Sequence, residues 1–196
     1  MKLKQRTTCI FGLRGSGKTT FGEYLADNSA FKCIIYDTVR EYPIHKRFDV
    51  CRPIDPYSID ELVRFINFHI KRVGDTEGKR IKYNLLVIDE ANRFLPGGGH
   101  PLHPALVDLN DQLRHPPYEI GVVYIARRPT QIHPDVIGLA DSVLCFLLTG
   151  KNDIVYLNDL KMGFGDQVSE LKPFHSILFS NGQLTHINPI MIKGKK

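Results

Sequence analysis

The sequence predicts an α/β fold: a mainly parallel sheet flanked by helices, with a small antiparallel C-terminal extension. Three observations predict it. Apolar runs of strand length alternate with helix-patterned segments over the first 150 residues, an arrangement that requires parallel crossovers and covers both faces of the sheet. A glycine-rich stretch at 12–20, GLRGSGKTT, directly follows an apolar run and opens a helix. Near the end, apolar runs at 176–179 and 184–187 are joined through Asn181-Gly182, a strong short hairpin signal.

The elements follow in order. Residues 7–11 read as a buried strand, and the stretch after them fits G-x-x-x-x-G-K-[ST]. Gly12, Gly15 and Gly17 allow backbone conformations that a side chain would block, so that consecutive N–H groups can face phosphate oxygens. Lys18 supplies a charge for the β- and γ-phosphates, the Thr19 hydroxyl is placed to ligate Mg²⁺, and the helix at 18–26 presents its positive end to the anion. Gly12, Leu13, Arg14, Gly15, Ser16, Gly17, Lys18, Thr19 and Thr20 together form the candidate nucleotide-binding set. A nucleoside triphosphate such as ATP, with Mg²⁺, is the expected ligand.

Residues 33–36 and 48–51 read as short strands, and Ser58-Ile-Asp-Glu61 is a capping box. The helix it opens carries Leu62, Phe65, Ile66, His69, Ile70 and Val73 at helical spacing, and His69 on that face reads as a packed histidine rather than a ligand. A basic stretch at 71–82 precedes a strand at 84–88. A loop with Pro96, Gly97, Gly98 and Gly99, a helix at about 102–114 and strands at 121–126 and 141–148 complete the alternation. From Asp153 onward the pattern reads as short strands.

Bulk properties narrow the function. At 196 residues with 42% apolar content, the chain makes one domain with a full core and leaves little room for a separate substrate domain. A net charge of +5 suits a polyanionic partner, although 26 basic against 21 acidic residues is a mild excess. Cys9, Cys33, Cys51 and Cys145 are scattered without a C-x-x-C pair, which points to a reducing cytoplasm. No apolar stretch approaches the roughly 20 residues a membrane span needs, and MKLKQR lacks a signal-peptide core. His100 and His103 are too few to make a zinc site.

The run Leu85-Leu86-Val87-Ile88-Asp89-Glu90 is a buried strand ending in two acids. Beside a phosphate loop, Asp89 can hold the hydration shell of Mg²⁺ and Glu90 can polarise a water for attack on the γ-phosphate. A general base for water also argues against a small-metabolite kinase.

Beyond the acids, Asp89-Glu-Ala-Asn-Arg-Phe-Leu-Pro96 resembles the second nucleotide-binding motif of the HerA and FtsK superfamily of ring-forming DNA-pumping ATPases. Arg114-His-Pro-Pro-Tyr-Glu-Ile-Gly121, the strand after it and Arg127-Arg-Pro-Thr-Gln-Ile-His-Pro-Asp135 resemble that superfamily's arginine segment and sensor turn. DTVREY at 37–42 resembles its segment after the second strand. The resemblance implies a P-loop NTPase of the RecA-like, additional-strand catalytic glutamate type. The ATPase core would occupy 1–150, and 151–196 would supply strands completing or flanking the same domain. It aligns Arg114 with the arginine finger that reaches a neighbouring subunit's site. Where many members place Gln, this chain has Arg127, a second candidate for the finger or sensor role.

A chain that is nearly the bare motor core is similar to the genome-packaging ATPases of icosahedral viruses. That likeness implies an ATP-driven double-stranded DNA translocase, a hexameric or pentameric ring, a capsid or portal-vertex partner, and a place in the host cytoplasm, docked on the assembling virion. The loops at 71–82 and 93–103 are candidate contacts for DNA phosphates. A cellular or plasmid motor of the same superfamily, and a nucleotide-switched assembly module that moves no DNA, are the alternatives.

Overall fold

Every residue of Thr7–Phe11 (β1) is buried, as a strand covered on both faces requires. The computed structural model that shows this describes residues 6–29, 32–71, 83–112, 115–116 and 118–190. Residues 72–82 of the expected basic stretch, Val73 among them, and Arg114 lie outside the described residues. After β1 come the helix Lys18–Asn28 (α1) and the strands Cys33–Tyr36 (β2) and Phe48–Cys51 (β3). Next are the helix Ile59–Ile66 (α2), the strand Leu85–Ile88 (β4), the helix Pro104–Gln112 (α3) and the strand Gly121–Ala126 (β5). A short helix Pro134–Gly138 (α4) and the strand Ser142–Phe146 (β6) follow.

The sheet order is β3-β2-β4-β5-β1-β6, all parallel, extended past β6 by two further strands. Thus β5 stands between the phosphate-loop strand β1 and the acid-tipped strand β4. Side chains alternate across β1: Cys9 and Phe11 join one apolar cluster with α2 and α3, and Ile10 joins another with α1. The sheet is therefore covered on both faces.

The capping box forms by half. Ser58 Oγ accepts from Glu61 N at 3.2 Å, but the Glu61 carboxylate turns to the Ile54 and Asp55 amides at 2.8 and 3.0 Å. Leu62, Phe65, Ile66 and Ile70 are buried as the spacing predicts. The His69 ring packs on Phe65, Phe68 and Tyr83, and burial lowers its pKa.

The segment after Asp153 does not begin with strands but with two helices, Lys151–Leu160 (α5) and Phe164–Ser169 (α6). Asp153 and Leu157, four residues apart, are the buried positions of α5, a helical spacing that the β-branched and aromatic run Ile154-Val155-Tyr156 masks. Only then come Ser176–Ser180 (β7) and Gln183–Ile187 (β8), antiparallel to β6 and to each other. Their two-residue turn has Asn181 at φ 51 and Gly182 at φ 74, the pair of positive values that a type I′ hairpin needs.

Candidate active site

The loop after β1 is pinned at both sides. Gly12 N donates to Arg127 O at 3.2 Å and Leu13 N to Leu147 O at 3.3 Å, so it emerges between the ends of β5 and β6. A Cβ on Gly12 would stand 2.7 Å from Phe146 Cβ, which excludes any side chain there. Gly17 takes φ 106 at the start of α1 and no side chain caps that helix. Its first-turn N–H groups are left for an anion.

A cavity of about 550 Å³ opens over this loop, lined by Arg14, Gly15, Gly17, Lys18, Thr19, Thr20, Val39, Glu41, Asp89, Glu90, Arg127 and Phe174. The size suits a small ligand. The predicted Gly12, Leu13 and Ser16 support the loop without lining the cavity, and Ser16 Oγ is buried without a partner among the described residues. Arg114 lies outside the described residues. A second hollow of about 530 Å³, between Tyr36, Cys51, Phe65 and His69, contains none of the loop.

Lys18 is buried and its ammonium donates to the carbonyls of Gly12 and Leu13 at 2.8 and 2.9 Å. Burial lowers its pKa, and the carboxylates of Asp89 and Glu90 work against that shift. Asp89, at the tip of β4, is 3% exposed. Its Oδ1 accepts from Glu90 N at 2.8 Å, while Oδ2 makes no hydrogen bond among the described residues. Burial pushes its pKa up to about 7, opposed by that one amide. Among the described residues the Tyr42 hydroxyl likewise lacks a well-formed hydrogen bond, and burial first and then the nearby Asp89 hold the phenol protonated.

The buried Asp89 carboxylate, whose Oδ2 has no well-formed hydrogen bond among the described residues, lines the same cavity as Thr19 and is a fit place for a hydrated divalent cation, which would favour its charged form. At present Thr19 Oγ1 donates to Glu41 Oε2 at 3.1 Å. Glu90 sits at φ 48, ψ 45, a left-handed conformation uncommon for a side-chain-bearing residue and often found at working sites. Its carboxylate is held by Arg127, Nε to Oε1 at 3.1 Å.

Sequence reasoning left three lining residues unassigned: Val39, Glu41 and Phe174. Val39 and Glu41 belong to the DTVREY turn, where Asp37 carboxylate oxygens accept from the Glu41 and Tyr42 amides at 3.2 Å each. That buried aspartate aims the turn at the loop. Beyond Arg127, Arg128 and Thr130 both bind the buried Asp153 of α5 at 2.7 Å, which ties the turn after β5 to the C-terminal helices. Arg93, at the start of the loop named as a candidate DNA contact, places its guanidinium on the carbonyls of Thr38 and Pro56 and over the Tyr57 ring. Gly98, Gly99 and His100 remain exposed at that loop's tip. His103 accepts from Ala105 N, and no metal-competent cluster occurs among the described residues.

No protein-family model matches the sequence, and no curated protein matches it. The fold is similar to that of the DNA-packaging ATPase B204 from Sulfolobus turreted icosahedral virus, with TM-score 0.74 and 17% identity, covering 97% of this chain and 100% of that one. It is also similar to the genome packaging NTPase B204 from Sulfolobus turreted icosahedral virus 2 in complex with ATP-gammaS, at TM-score 0.73 and 18% identity, covering 95% and 98%. The pCW3 conjugation coupling protein TcpA, in its monomer form with ATPgS, matches at TM-score 0.62 and 13% identity, covering 93% of this chain and 59% of its own. The eight-stranded, mostly parallel sheet flanked by helices is thus a P-loop NTPase fold, as the sequence predicts.

Proposed function

We propose that this chain is a Mg²⁺-dependent ATPase that assembles as a hexameric or pentameric ring and pumps double-stranded viral DNA into a preformed capsid. It would work at a portal-vertex protein in the host cytoplasm. The observation that carries the reading is the convergence of Lys18, Thr19, Asp89, Glu90 and Arg127 on one cavity over the phosphate loop. The likeness in fold to a DNA-packaging ATPase and the net charge of +5 support DNA as the partner. Among the described residues, no helix is long and apolar enough to cross a membrane.

In this reading the loop amides and Lys18 hold the β- and γ-phosphates, and Lys18 exchanges the carbonyls of Gly12 and Leu13 for phosphate oxygens. Mg²⁺ would be held by Thr19 directly and by Asp89 through water, neutralising charge on the phosphate oxygens. Arg127 is already inside its own cavity on Glu90, so it serves as the contact in cis. A γ-phosphate draws its guanidinium away and leaves Glu90 free to accept the proton of an attacking water. The water oxygen bonds to the γ-phosphorus, the bond to the β-phosphate oxygen breaks, and ADP and phosphate leave. Arg114 is then the residue offered to the neighbouring subunit.

Glu90→Gln should bind ATP about as tightly as the parent and hydrolyse it roughly 10²–10⁴-fold more slowly. Single-turnover hydrolysis beside equilibrium ATP binding checks this, and normal turnover would refute the role. Mixing Arg114→Ala with Lys18→Ala subunits should restore hydrolysis at mixed interfaces if the finger acts in trans. Absence of rescue at every ratio would count against it.

A further inference from the structure

Lys172 to His175 form a tight turn closed by His175 N on Lys172 O at 3.1 Å, with Pro173 and Phe174 at its centre. Phe174 has φ 64. Proline followed by a positive φ defines a type II turn, whose third position ordinarily takes glycine or asparagine. A phenylalanine there carries backbone strain, and this one is also 56% exposed. It therefore neither eases the turn nor fills the core.

Its position gives it another use. Phe146 pairs with Ser176, so β7 begins at the same edge where β6 ends, and Phe174 stands just before it. Along that edge the order is β4, β5, β1, β6, β7. Asp89, Glu90 and Arg127 lie on the β4 and β5 side of the loop, and Phe174 lies on the β7 side. A triphosphate with its γ-end toward Glu90 extends its nucleoside the other way. The Phe174 ring rests against the loop, its Cδ1 3.5 Å from where a Cβ on Gly17 would be, and it lines the same cavity as Arg14 and Thr20.

We propose that Phe174 is the platform on which the nucleotide's purine base stacks. The strained turn presents one ring face to the base while the loop holds the phosphates. This rests on the reading of the cavity as a triphosphate site, and the probes separate the two.

The chain contains no tryptophan, so Phe174→Trp introduces a single indole reporter. Titration with Mg·ATP should quench its emission saturably, and Mg·tripolyphosphate, which has no base, should not. Phe174→Gly suits the turn and keeps the fold. It should weaken ATP binding roughly 5- to 150-fold while changing tripolyphosphate binding by less than about twofold. Equal ATP affinity in Phe174→Gly and the parent, or equal losses for both ligands, would overturn the platform. If the parent binds neither ATP nor tripolyphosphate, the triphosphate reading falls, and the platform with it.

Discussion

Asp89 is a carboxyl only 3% exposed, and its Oδ2 has no well-formed hydrogen bond among the described residues. Its pKa of about 7 lies above the ordinary carboxylate value near 4. Between those values the metal-free native state keeps a proton that the unfolded chain has released. Stability from this group is therefore full below about pH 4 and is lost as pH rises to about 7. Denaturant unfolding of the metal-free protein at several pH values should show this fall, and Asp89→Asn should flatten it and be the more stable protein at pH 7.5. Identical slopes in the two proteins would contradict it. The sequence made Lys18, Thr19, Asp89 and Glu90 legible because their spacing within short segments encodes their geometry. It could not show the Arg127–Glu90 pair or the Thr19–Glu41 bond, since each joins residues brought together only by neighbouring strands.

At the level of elements, the central strands were readable from their unbroken apolar runs, and the hairpin from Asn181-Gly182. The helices α5 and α6 were not; in α5, Ile154, Val155 and Tyr156 favour strands locally and only burial of Asp153 and Leu157 expresses the helical period. Their packing depends on Gly165, where an added Cβ would run into the carbonyl of Ile154. Backbone cannot move aside as a side chain end can. Gly165→Ala should therefore cost about 3 kcal/mol, seen by calorimetry as a fall in Tm of roughly 6–12 °C. An unchanged Tm would show that α5 and α6 do not hold each other at this distance. Because Asp153 binds Arg128 and Thr130, loosening this pair should also disturb the turn behind Arg127.

Among the described residues the strands form one sheet whose parallel part presents the phosphate loop, the acid pair and Arg127 at the strand ends, with Phe174 brought to that side just before β7. In the function proposed above, this layout would run the nucleotide from Glu90 toward Phe174, keep Arg127 in its own subunit's cavity and leave the trans contact to Arg114. If the proposed coupling of hydrolysis to DNA holds, the steady-state ATP hydrolysis rate, measured with and without linear double-stranded DNA at moderate salt and with Lys18→Ala as the blank, should rise with DNA and vanish in Lys18→Ala. A rate indifferent to DNA, or one that survives loss of Lys18, would refute the coupling.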